Sequence, residues 1–544
     1  MSLVDADTPV PDAAALGAVH FIGVGGISMS GLAAMMRTRG LTVSGSDARD
    51  SRELTALRAL GVRTSVGHDA GAVSGADTVV VSSAIRPDNP ELVAARAAGL
   101  RVLPRVVALV SLMAGRRVAA VTGTHGKTTT TSMLTVAMQS AGYDPSFAIG
   151  GQLSGSGANA HEGTGDVFVA EADESDGSFL LVRPEVGVVT NVEADHLDNY
   201  GTAAAYRAAF DAFADRVRPG GVLVVGIDDP GAAQLARSAI RRYAGDGSRR
   251  RVVPVGADAA APEPLGSHPS GSQTSGLQTS GFQTSGLQVA GTVLQGSGSQ
   301  STVALRRPGG GRWEATLRLR VPGRHNVADA ACALAAAVQL GADPDVATRA
   351  LGDFTGTRRR FEAKGSAGGV RVVDEYAHHP TEVAAAIAAG RVVAAGGRVL
   401  AVFQPHLYSR TRIFAAEFAA ALGGADEVVV MEVYGAREEP DPEVSGSMIA
   451  DAVPLPSERV LFSRSWTATP AAVAARARPG DLVLTIGAGD VTMIGPQVLA
   501  LLAAGIPERG NAAAGIPERG DDAAGIPERG DDAAGIPERG DDAQ

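Results

Sequence analysis

Residues 117–129 decide the fold of this chain, and they read Arg117-Val118-Ala119-Ala120-Val121-Thr122-Gly123-Thr124-His125-Gly126-Lys127-Thr128-Thr129. A short apolar segment runs directly into a glycine-rich loop, and a threonine-rich segment follows. A buried strand, such a loop and the first turn of a helix point several backbone N–H groups at one place, where they hold phosphate oxygens. Lys127 would reach the terminal phosphates of a nucleotide, and the Thr128 hydroxyl would bind magnesium. The stretch therefore predicts an α/β domain that binds a nucleotide.

This loop differs from the usual phosphate-loop pattern G-x-x-x-x-G-K-[ST], because Val121 occupies the position of the first glycine. A glycine turn that only caps a helix is the alternative interpretation. The preceding apolar strand and the four threonines of residues 128–131 favour the phosphate loop. We therefore predict that ATP is bound by Gly123, Thr124, His125, Gly126, Lys127, Thr128 and Thr129.

Apolar strands alternate with alanine-rich helices on both sides of the loop, which is typical of parallel, doubly wound sheets. The chain has 544 residues, which fits about three domains. The predicted fold is α/β, with a Rossmann-like N-terminal domain, a central P-loop-type ATPase domain with a parallel sheet, and a Rossmann-like C-terminal domain. The predicted domains span 1–115, 116–321 and 322–500, and a tail follows at 501–544.

Two segments have compositions that cannot bury enough apolar surface to fold. Residues 270–288 repeat a Ser-Gly-x-Gln-Thr unit, and Gly-Ile-Pro-Glu-Arg-Gly starts at positions 505, 515, 525 and 535. We predict a disordered insertion at about 258–300 in the central domain, and a disordered tail.

Composition limits the possible functions. The formal net charge is -11 and no long basic block offsets it, so we expect no nucleic-acid binding. A single cysteine, Cys332, fits a reducing compartment. The N-terminus lacks the features of a signal peptide, and no stretch of about 20 apolar residues could span a bilayer. We expect a cytoplasmic enzyme without membrane contact, as a monomer or weak homodimer.

A second glycine turn, Gly23-Val24-Gly25-Gly26-Ile27-Ser28, opens the first unit. It resembles a dinucleotide fingerprint in which Ser28 replaces the third glycine. Asp47 lies near the end of the next predicted strand, where an acidic residue could take a ribose hydroxyl. NAD and a nucleotide-sugar are both candidate ligands, and a turn that only packs a helix on a strand explains the pattern about as well.

Carboxylates follow two predicted strands of the central unit, at the edge where open α/β sheets bind ligands. They lie in Glu171-Ala172-Asp173-Glu174-Ser175-Asp176 and in Thr190-Asn191-Val192-Glu193-Ala194-Asp195-His196. Each could be a solvated acidic loop. However, magnesium needs only one or two carboxylates besides phosphates and water, so two such loops beside a phosphate loop favour a magnesium site.

Histidines gather in polar clusters of the third unit. His378 and His379 lie in the segment 374–380, and His406 lies in the segment 404–412, each after a predicted strand. A zinc site at His378 and His379 is the obvious alternative to a substrate site. Adjacent histidines on one loop rarely point to one metal, and no cysteine supports them.

Together these segments resemble the Mur ligases, with motifs in all three units between about residues 18 and 500. The matching segments are 23–31, 123–129, 171–176, 190–196, 323–326, 374–380 and 404–412. Within that family, the histidine of the phosphate loop and the pair His378–His379 are similar to the members that add L-alanine to UDP-N-acetylmuramate in peptidoglycan synthesis. The resemblance implies ATP, UDP-N-acetylmuramate and L-alanine as substrates, Mg²⁺ as cofactor, and an acyl-phosphate intermediate.

The resemblance also implies a role for each residue at a matching position. Catalysis would involve Lys127, Glu171, His196 and His378, and Mg²⁺ would be held by Thr128, Glu171 and His196. Further contacts to ATP would come from Arg324, Asn326 and Asp374. The UDP-sugar would be bound by Gly25, Gly26, Ser30, Asp47, Ser82 and Ser83, and L-alanine by Tyr376, His378, His406 and Arg410.

One position departs from the family pattern. Leu407 stands where many relatives have arginine, so one contact near the amino acid would be missing or supplied by Arg410 or Arg412. From the residues alone, two other functions stay open. A nicotinamide-dependent oxidoreductase could be built on the first glycine turn, although Ser28 and the second phosphate loop count against it. A non-catalytic sensor would bind UDP-N-acetylmuramate and release no phosphate from ATP.

Overall fold

The computed structural model describes residues 5–82, 84–256, 286–295, 298–306, 312–436 and 438–505, and these residues form three sheets. Most of the Ser-Gly-x-Gln-Thr segment and the tail from residue 506 lie outside the described residues. No helix within the described ranges is long and apolar enough to cross a membrane. Short 3₁₀ helices lie at Ala13–Leu16, Ala70–Val73, Ser178–Leu181, Ser457–Arg459 and Asp490–Met493.

Five parallel strands form the N-terminal sheet: β1 (Val19–Ile22), β2 (Val43–Asp47), β3 (Arg63–Val66), β4 (Thr78–Val81) and β5 (Arg101–Pro104). Its helices are α1 (Ile27–Thr38), α2 (Arg52–Ala59), α3 (Pro90–Ala97) and α4 (Arg105–Leu112). The strand order is β3-β2-β1-β4-β5, so the direction of winding reverses between β1 and β4. A crevice for a ligand forms at such a reversal, and the glycine turn of residues 23–26 lies there, directly after β1.

Ten strands form the central sheet: β6 (Arg117–Thr122), β7 (Ser146–Ala148), β8 (Ala160–His161), β9 (Val167–Glu171), β10 (Val186–Val189), β11 (Val222–Gly226), β12 (Arg251–Gly256), β13 (Leu287–Gln295), β14 (Gly298–Arg306) and β15 (Arg312–Leu319). Their order is β15-β14-β13-β12-β11-β10-β6-β9-β7-β8. The middle of the sheet is parallel, as predicted, whereas β8, β14 and β15 pair antiparallel at its two edges. The helices after its strands are α5 (Lys127–Ser140), α6 (Leu197–Tyr200), α7 (Ala203–Arg216) and α8 (Pro230–Gly245).

Strands β13 and β14 correct the predicted disordered insertion at 258–300. Its last part is an ordered antiparallel pair that extends the central sheet. The reason is a weak apolar alternation among glycine, serine and glutamine: Leu287, Val289, Val303 and Leu305 are all at most 2% exposed. These four side chains join the central core, which gives the hairpin the apolar face that the repeats before it lack.

Two helices after β15 correct the predicted domain boundary at residue 322. They are α9 (Arg324–Gln339) and α10 (Pro344–Asp353), and both pack on the central sheet and its helix α5. Leu334 of α9 and Leu351 of α10 are fully buried in the same core as Met133 of α5. The third sheet therefore begins only after these helices.

Six strands form the third sheet: β16 (Glu362–Ala367), β17 (Val370–Glu375), β18 (Val399–Phe403), β19 (Glu427–Met431), β20 (Val460–Ser463) and β21 (Leu482–Ile486). Their order is β16-β17-β21-β18-β19-β20, and all pairs are parallel except β16 with β17. Its helices are α11 (Pro380–Ala394), α12 (Tyr408–Leu422), α13 (Ser447–Ala450), α14 (Thr469–Arg476) and α15 (Ile494–Ala503). The predicted three-domain α/β architecture with parallel sheets is thus confirmed.

Candidate active site

The phosphate loop connects β6 to α5, and two of its positions admit only glycine. Gly123 and Gly126 have φ angles of 137° and 80°, which L side chains rarely adopt. A Cβ atom on Gly123 would lie 2.0 Å from the Thr190 hydroxyl, and one on Gly126 would lie 2.3 Å from Asp329 Oδ1. Val121, at the position of the missing first glycine, lies inside β6 and is fully buried. The loop therefore starts later than in the usual pattern.

Lys127 begins α5, and acceptors enclose its ammonium group. Its Nζ donates to the carbonyl oxygens of Gly123 (2.8 Å) and Thr124 (3.2 Å) and to Glu174 Oε1 (2.9 Å). Burial alone would lower the pKa of Lys127, but nearby carboxylates, Glu174 above all, raise it above its usual value. Glu174 is fully buried, and burial raises its pKa to about 7. Lys127 is thus a fixed positive charge beside the loop, which is what stabilisation of a transferring phosphoryl group needs.

Thr128 and Glu171 place two hard oxygen atoms side by side. The Thr128 hydroxyl donates to Glu171 Oε1 at 3.0 Å, and Glu171 Oε2 accepts from the N–H of Gly150 at 2.7 Å. The two residues meet because β9, which ends at Glu171, is the neighbour of β6 in the sheet. Hydroxyl and carboxylate oxygens are the ligands that Mg²⁺ prefers, so this pair fits the ion.

His196, the third predicted magnesium ligand, precedes α6 with a left-handed backbone, at a φ of 52°. Its Nε2 lies 3.6 Å from Glu174 Oε1 and 3.6 Å from Asp195 Oδ2. Burial lowers the pKa of His196, and the positive charges of Arg410 and Lys127 add to that effect. The ring is therefore neutral at neutral pH and has a lone pair to offer a metal ion.

Arg410 belongs to α12 but binds a carboxylate of the central domain. Its Nη2 lies 3.3 Å from both oxygens of Asp195, and the two side chains are only 7% and 6% exposed. Burial would raise the pKa of Asp195, but Arg410 and His196 outweigh that effect and lower it well below its usual value. The structure thus uses Arg410 to fix the residue before His196, and it does not support the predicted contact of Arg410 with L-alanine.

The two arginines that follow Leu407 in α12 are both paired with carboxylates. Arg410 is engaged by Asp195, and Arg412 is engaged by Asp441 at 2.6 Å. Both arginines that could supply the expected contact near the amino acid are thus paired with carboxylates.

His125 lies between carboxylates of two domains. Its Nε2 is 3.1 Å from Glu193 Oε2, and its Nδ1 is 3.3 Å from Glu382 Oε1. Burial would lower the pKa of His125, but these two carboxylates raise it to about 9. His125, Glu193 and His379 bring potential metal-ligand atoms within 4.8 Å of one another. A metal ion at this cluster would have to displace the proton that these carboxylates favour on His125.

Tyr376 and His378 follow β17 and belong to the C-terminal domain. The guanidinium of Arg360 lies 5.0 Å from the ring centre of Tyr376. His378 Nδ1 is 3.1 Å from the carbonyl oxygen of Tyr376, so Nδ1 carries the hydrogen and Nε2 carries the lone pair. Burial lowers the pKa of His378 to about 3, which keeps the ring neutral. The ring centre of His406 lies 6.2 Å from that of His378 and stacks on Tyr434.

Two cavities meet at the phosphate loop. The larger, of about 690 Å³, is lined by predicted site residues of the central and C-terminal domains: Lys127, Thr128, Glu171, His196, Tyr376 and His378. It also reaches α1 of the N-terminal domain through Ile27. The smaller, of about 420 Å³, is lined by Thr129, Asn326 and Asp329. Both are lined by His125, Gly126, Arg360 and Glu382, so the two cavities share one wall.

The three further residues predicted to contact ATP lie in different places. Asn326 lines the smaller cavity, and its amide donates to the carbonyl oxygen of Pro322 at 2.6 Å. Arg324 is exposed at the start of α9 and lines neither cavity. Asp374 is fully buried and accepts hydrogen bonds from the hydroxyls of Thr485 and Thr492, so its predicted contact with ATP is wrong for this structure. The next residue, Glu375, lines the smaller cavity instead.

The residues predicted to bind the UDP-sugar surround the first glycine turn. Asp47 Oδ2 accepts from the N–H of Gly25 at 2.8 Å, and a Cβ atom on Gly25 would lie 2.9 Å from the same oxygen. Gly26 precedes α1, and the Ser30 hydroxyl donates to the carbonyl oxygen of Ile27. Asp47 therefore fixes the turn, and its predicted contact with a ribose stays a prediction.

Two further predicted residues of that group follow β4. Ser82 accepts from the N–H of Ala84 at 3.2 Å, whereas Ser83 lies outside the described residues.

Family models match the chain in three consecutive segments. "Mur ligase family, catalytic domain" matches residues 18–117, "Mur ligase middle domain" matches residues 121–246, and "Mur ligase, glutamate ligase domain" matches residues 359–489. The UDP-N-acetylmuramate–L-alanine ligase of Nocardioides sp. is 55% identical over 498 residues, which are 91% of this chain and 99% of that protein. The chain belongs to the Mur ligase family.

Other relatives agree with that assignment. The ligase of the same name from Kineococcus radiotolerans is 55% identical over 91% of this chain and 98% of its own length. Among solved structures, the UDP-N-acetylmuramate–alanine ligase MurC of Thermotoga maritima is 28% identical and superposes with a TM-score of 0.68, covering 89% of this chain and 98% of that one.

Sequence reasoning missed several residues that hold the site of this Mur ligase together. Glu174, Glu193 and Asp195 lie inside motifs that the sequence singled out, but no role was predicted for them. Glu382 stands three residues after His379, at the spacing of a capping box before an apolar helix, and that spacing could have revealed it. Arg360 lies in the run Arg358-Arg359-Arg360, and nothing in that run indicates which side chain points into the site.

Proposed function

We propose that this Mur ligase joins L-alanine to the carboxyl group of UDP-N-acetylmuramate and uses ATP to activate that group. The observation that carries the proposal is the cavity of about 690 Å³, on which the phosphate loop, Glu171 and the loop of Tyr376 and His378 converge. Relatives that are 55% identical over 91% of the chain bear the name of this activity.

The reaction consists of two transfers. A carboxylate oxygen of the muramoyl group attacks the γ-phosphorus of ATP, the bond to ADP breaks, and an acyl phosphate forms. The amine of L-alanine then attacks the carbonyl carbon, inorganic phosphate leaves with the electron pair of its C–O bond, and the nitrogen loses a proton. Positioning and charge neutralisation carry such a reaction, because the protein forms no covalent bond itself.

Each end of the cavity suits one of the two transfers. Lys127 neutralises charge on the transferring phosphoryl group. Thr128 and Glu171, with His196, would hold Mg²⁺, which supplies further positive charge to the phosphate oxygens. At the other end, the Nε2 lone pair of the neutral His378 accepts an N–H of the incoming amine and orients it beside Tyr376.

The N-terminal domain holds the UDP group in the crevice after β1, beside the turn that Gly25 and Asp47 close. The smaller cavity, of about 420 Å³ and lined by Asn326, takes the nucleoside end of ATP. The cytoplasm as the place of reaction and a monomer or weak homodimer as the active form belong to the same proposal, and light scattering of the purified chain tests the latter.

Phosphate release tests the proposal directly. Purified protein receives ATP, Mg²⁺, UDP-N-acetylmuramate and L-alanine, and inorganic phosphate is followed while mass spectrometry detects the product. We expect phosphate to appear only when all four components are present, in equal amount to an adduct of the UDP-sugar with one alanine. Binding of the UDP-sugar without phosphate release would indicate a sensor instead, and oxidation of NAD(P)H would indicate an oxidoreductase.

A further inference from the structure

Glu382, the third residue of α11, fixes the loop that carries His378. Its Oε2 accepts from the backbone N–H groups of His378 (2.9 Å) and His379 (3.3 Å). The second contact closes a capping box, in which His379 Nδ1 in turn accepts from the N–H of Thr381. Capping of this kind holds the entry of a helix in one conformation. One oxygen of Glu382 therefore determines where the His378 loop lies relative to α11.

The other oxygen of Glu382 reaches the phosphate loop in the central domain. Oε1 lies 3.3 Å from His125 Nδ1 and 3.8 Å from Arg360 Nη1. The side chain of Glu382 is only 11% exposed, and it lines both cavities. A single carboxylate thus contacts the loop for the terminal phosphates and the loop for the amino acid.

A second contact runs parallel to this one. One carboxylate oxygen of Glu193, in the central domain, lies 3.1 Å from His125 Nε2. Its other oxygen accepts a hydrogen bond from the Thr381 hydroxyl at 2.8 Å. His125 is therefore held on both ring nitrogens, by Glu193 from its own domain and by Glu382 from the C-terminal domain. Because Thr381 and Glu382 are adjacent on α11, the two contacts fix both the distance and the rotation of this helix relative to the phosphate loop.

We propose that Glu382 is a positioning residue of the ligation, which places the His378 loop against the phosphate loop through its contact with His125. This inference rests on the proposed function. Neither His378 nor Lys127 touches Glu382 through its reacting atom, so Glu382 acts through the loops and not on the substrates. Loss of the contact leaves both half-sites intact and separates them, which affects the attack of the amine more than the binding of either nucleotide.

Glu382→Gln isolates the contact, because glutamine also caps a helix at this position and keeps an oxygen acceptor but carries no charge. We expect kcat/KM for L-alanine to fall about 30-fold or more, while KM for UDP-N-acetylmuramate changes by less than about twofold. Glu427→Gln is the matched control, because Glu427 is 12% exposed, belongs to the same domain and pairs with Arg398 away from both cavities. This control should keep the parent kinetics.

A double-mutant cycle with His125→Asn separates coupling from independent damage. If the two residues act through each other, kcat/KM of the double variant should lie within about threefold of that of the slower single variant. The reason is that the effects of contacting residues are not additive. Losses that multiply would overturn the inference, as would a Glu382→Gln protein with parent kcat/KM for L-alanine. An inactive parent would refute the proposed function instead, and hydrogen exchange would then decide on the contact. In that case, amides of residues 123–126 that exchange no faster in Glu382→Gln would overturn it.

Discussion

Lys127→Met removes one charge from a buried pair, so it changes stability and activity through different physical causes. In the folded protein Lys127 Nζ lies 2.8 Å from Glu174 Oε2 and 2.9 Å from Glu174 Oε1, and Glu174 is fully buried. Without the ammonium group, no opposite charge among the described residues contacts this carboxylate. Removal of one partner of a buried pair costs about 3–5 kcal/mol.

The carboxyl group of Glu174 can limit that loss by taking up a proton. Burial raises the pKa of Glu174 to about 7 even beside Lys127, so without that ammonium group the carboxyl takes up a proton readily at neutral pH. We therefore expect Lys127→Met to destabilise the protein by no more than about 3–5 kcal/mol. A second change, Glu174→Gln, removes the unpaired charge, and the double variant should regain at least about half of that loss because a buried pair without charges is tolerated. Activity should not return, since the charge that faces the phosphates is still missing.

Urea unfolding of the two variants and the parent measures the first effect, and phosphate release measures the second. We expect kcat to fall about 10²–10³-fold in both variants, the usual loss for one preorganised charge at a transition state. Arg242→Met is the control, because its pair with Asp211 is partly exposed and should contribute no more than about 1 kcal/mol. A double variant with kcat within about tenfold of the parent would remove Lys127 from phosphoryl transfer. A Lys127→Met protein as stable as the parent would refute the reasoning about Glu174.

Three further predictions concern the loops and the first domain. Gly126→Ala should lower the free energy of unfolding in urea by about 1–2 kcal/mol because of the left-handed backbone alone. The clash of the new methyl group with Asp329 should lower it further, and calorimetry should detect no ATP binding. Thr128→Val should raise the Mg²⁺ concentration for half-maximal phosphate release at least about tenfold, and EDTA should stop release in the parent. In the first domain, burial would raise the pKa of Glu91, but hydrogen bonds such as that from His20 lower it overall. Its carboxylate therefore stabilises the fold above pH of about 4.3 and less as the pH falls through the lowered pKa. The urea midpoints of Glu91→Gln and the parent should differ at pH 7, and the difference should shrink as the pH falls below about 4.3.

The strands could be predicted because each is a short apolar run that ends in a glycine or polar loop. Residues 117–122 form a strand in the structure, as predicted. The boundary at 322 was wrong for a physical reason. Helix α9 is alanine-rich and buried over most of its surface, so its sequence shows that it is covered but not which of two apolar sheets covers it.

The sequence predicted which residue types form the site, but only partly which side chains point into the cavity. Asp374 and Glu375 are adjacent carboxylates at the end of β17, and side chains alternate between the faces of a strand. The motif led to Asp374, whereas the structure exposes Glu375 to the cavity. Contacts between domains were beyond prediction altogether. Arg410 with Asp195 and Glu382 with His125 depend on how two sheets face each other, and no local pattern in the sequence encodes that arrangement.

The charged side chains of the site form pairs, and this pairing determines whether ATP binds alone or together with Mg²⁺. Lys127 is paired with Glu174, and Arg410 is paired with Asp195. The carboxylates of Glu171 and Asp173 line the same cavity as Lys127. A bare ATP anion would meet these carboxylates beside Lys127, whose charge Glu174 already offsets. Mg²⁺ bound beside Thr128 and Glu171 would reverse the balance, because it neutralises carboxylate and phosphate oxygens together. The loop of residues 123–129 therefore supplies only part of a site for the phosphates. Because the acidic loop after β9 repels an anion, we expect the rest of the site to form only when Mg²⁺ is bound.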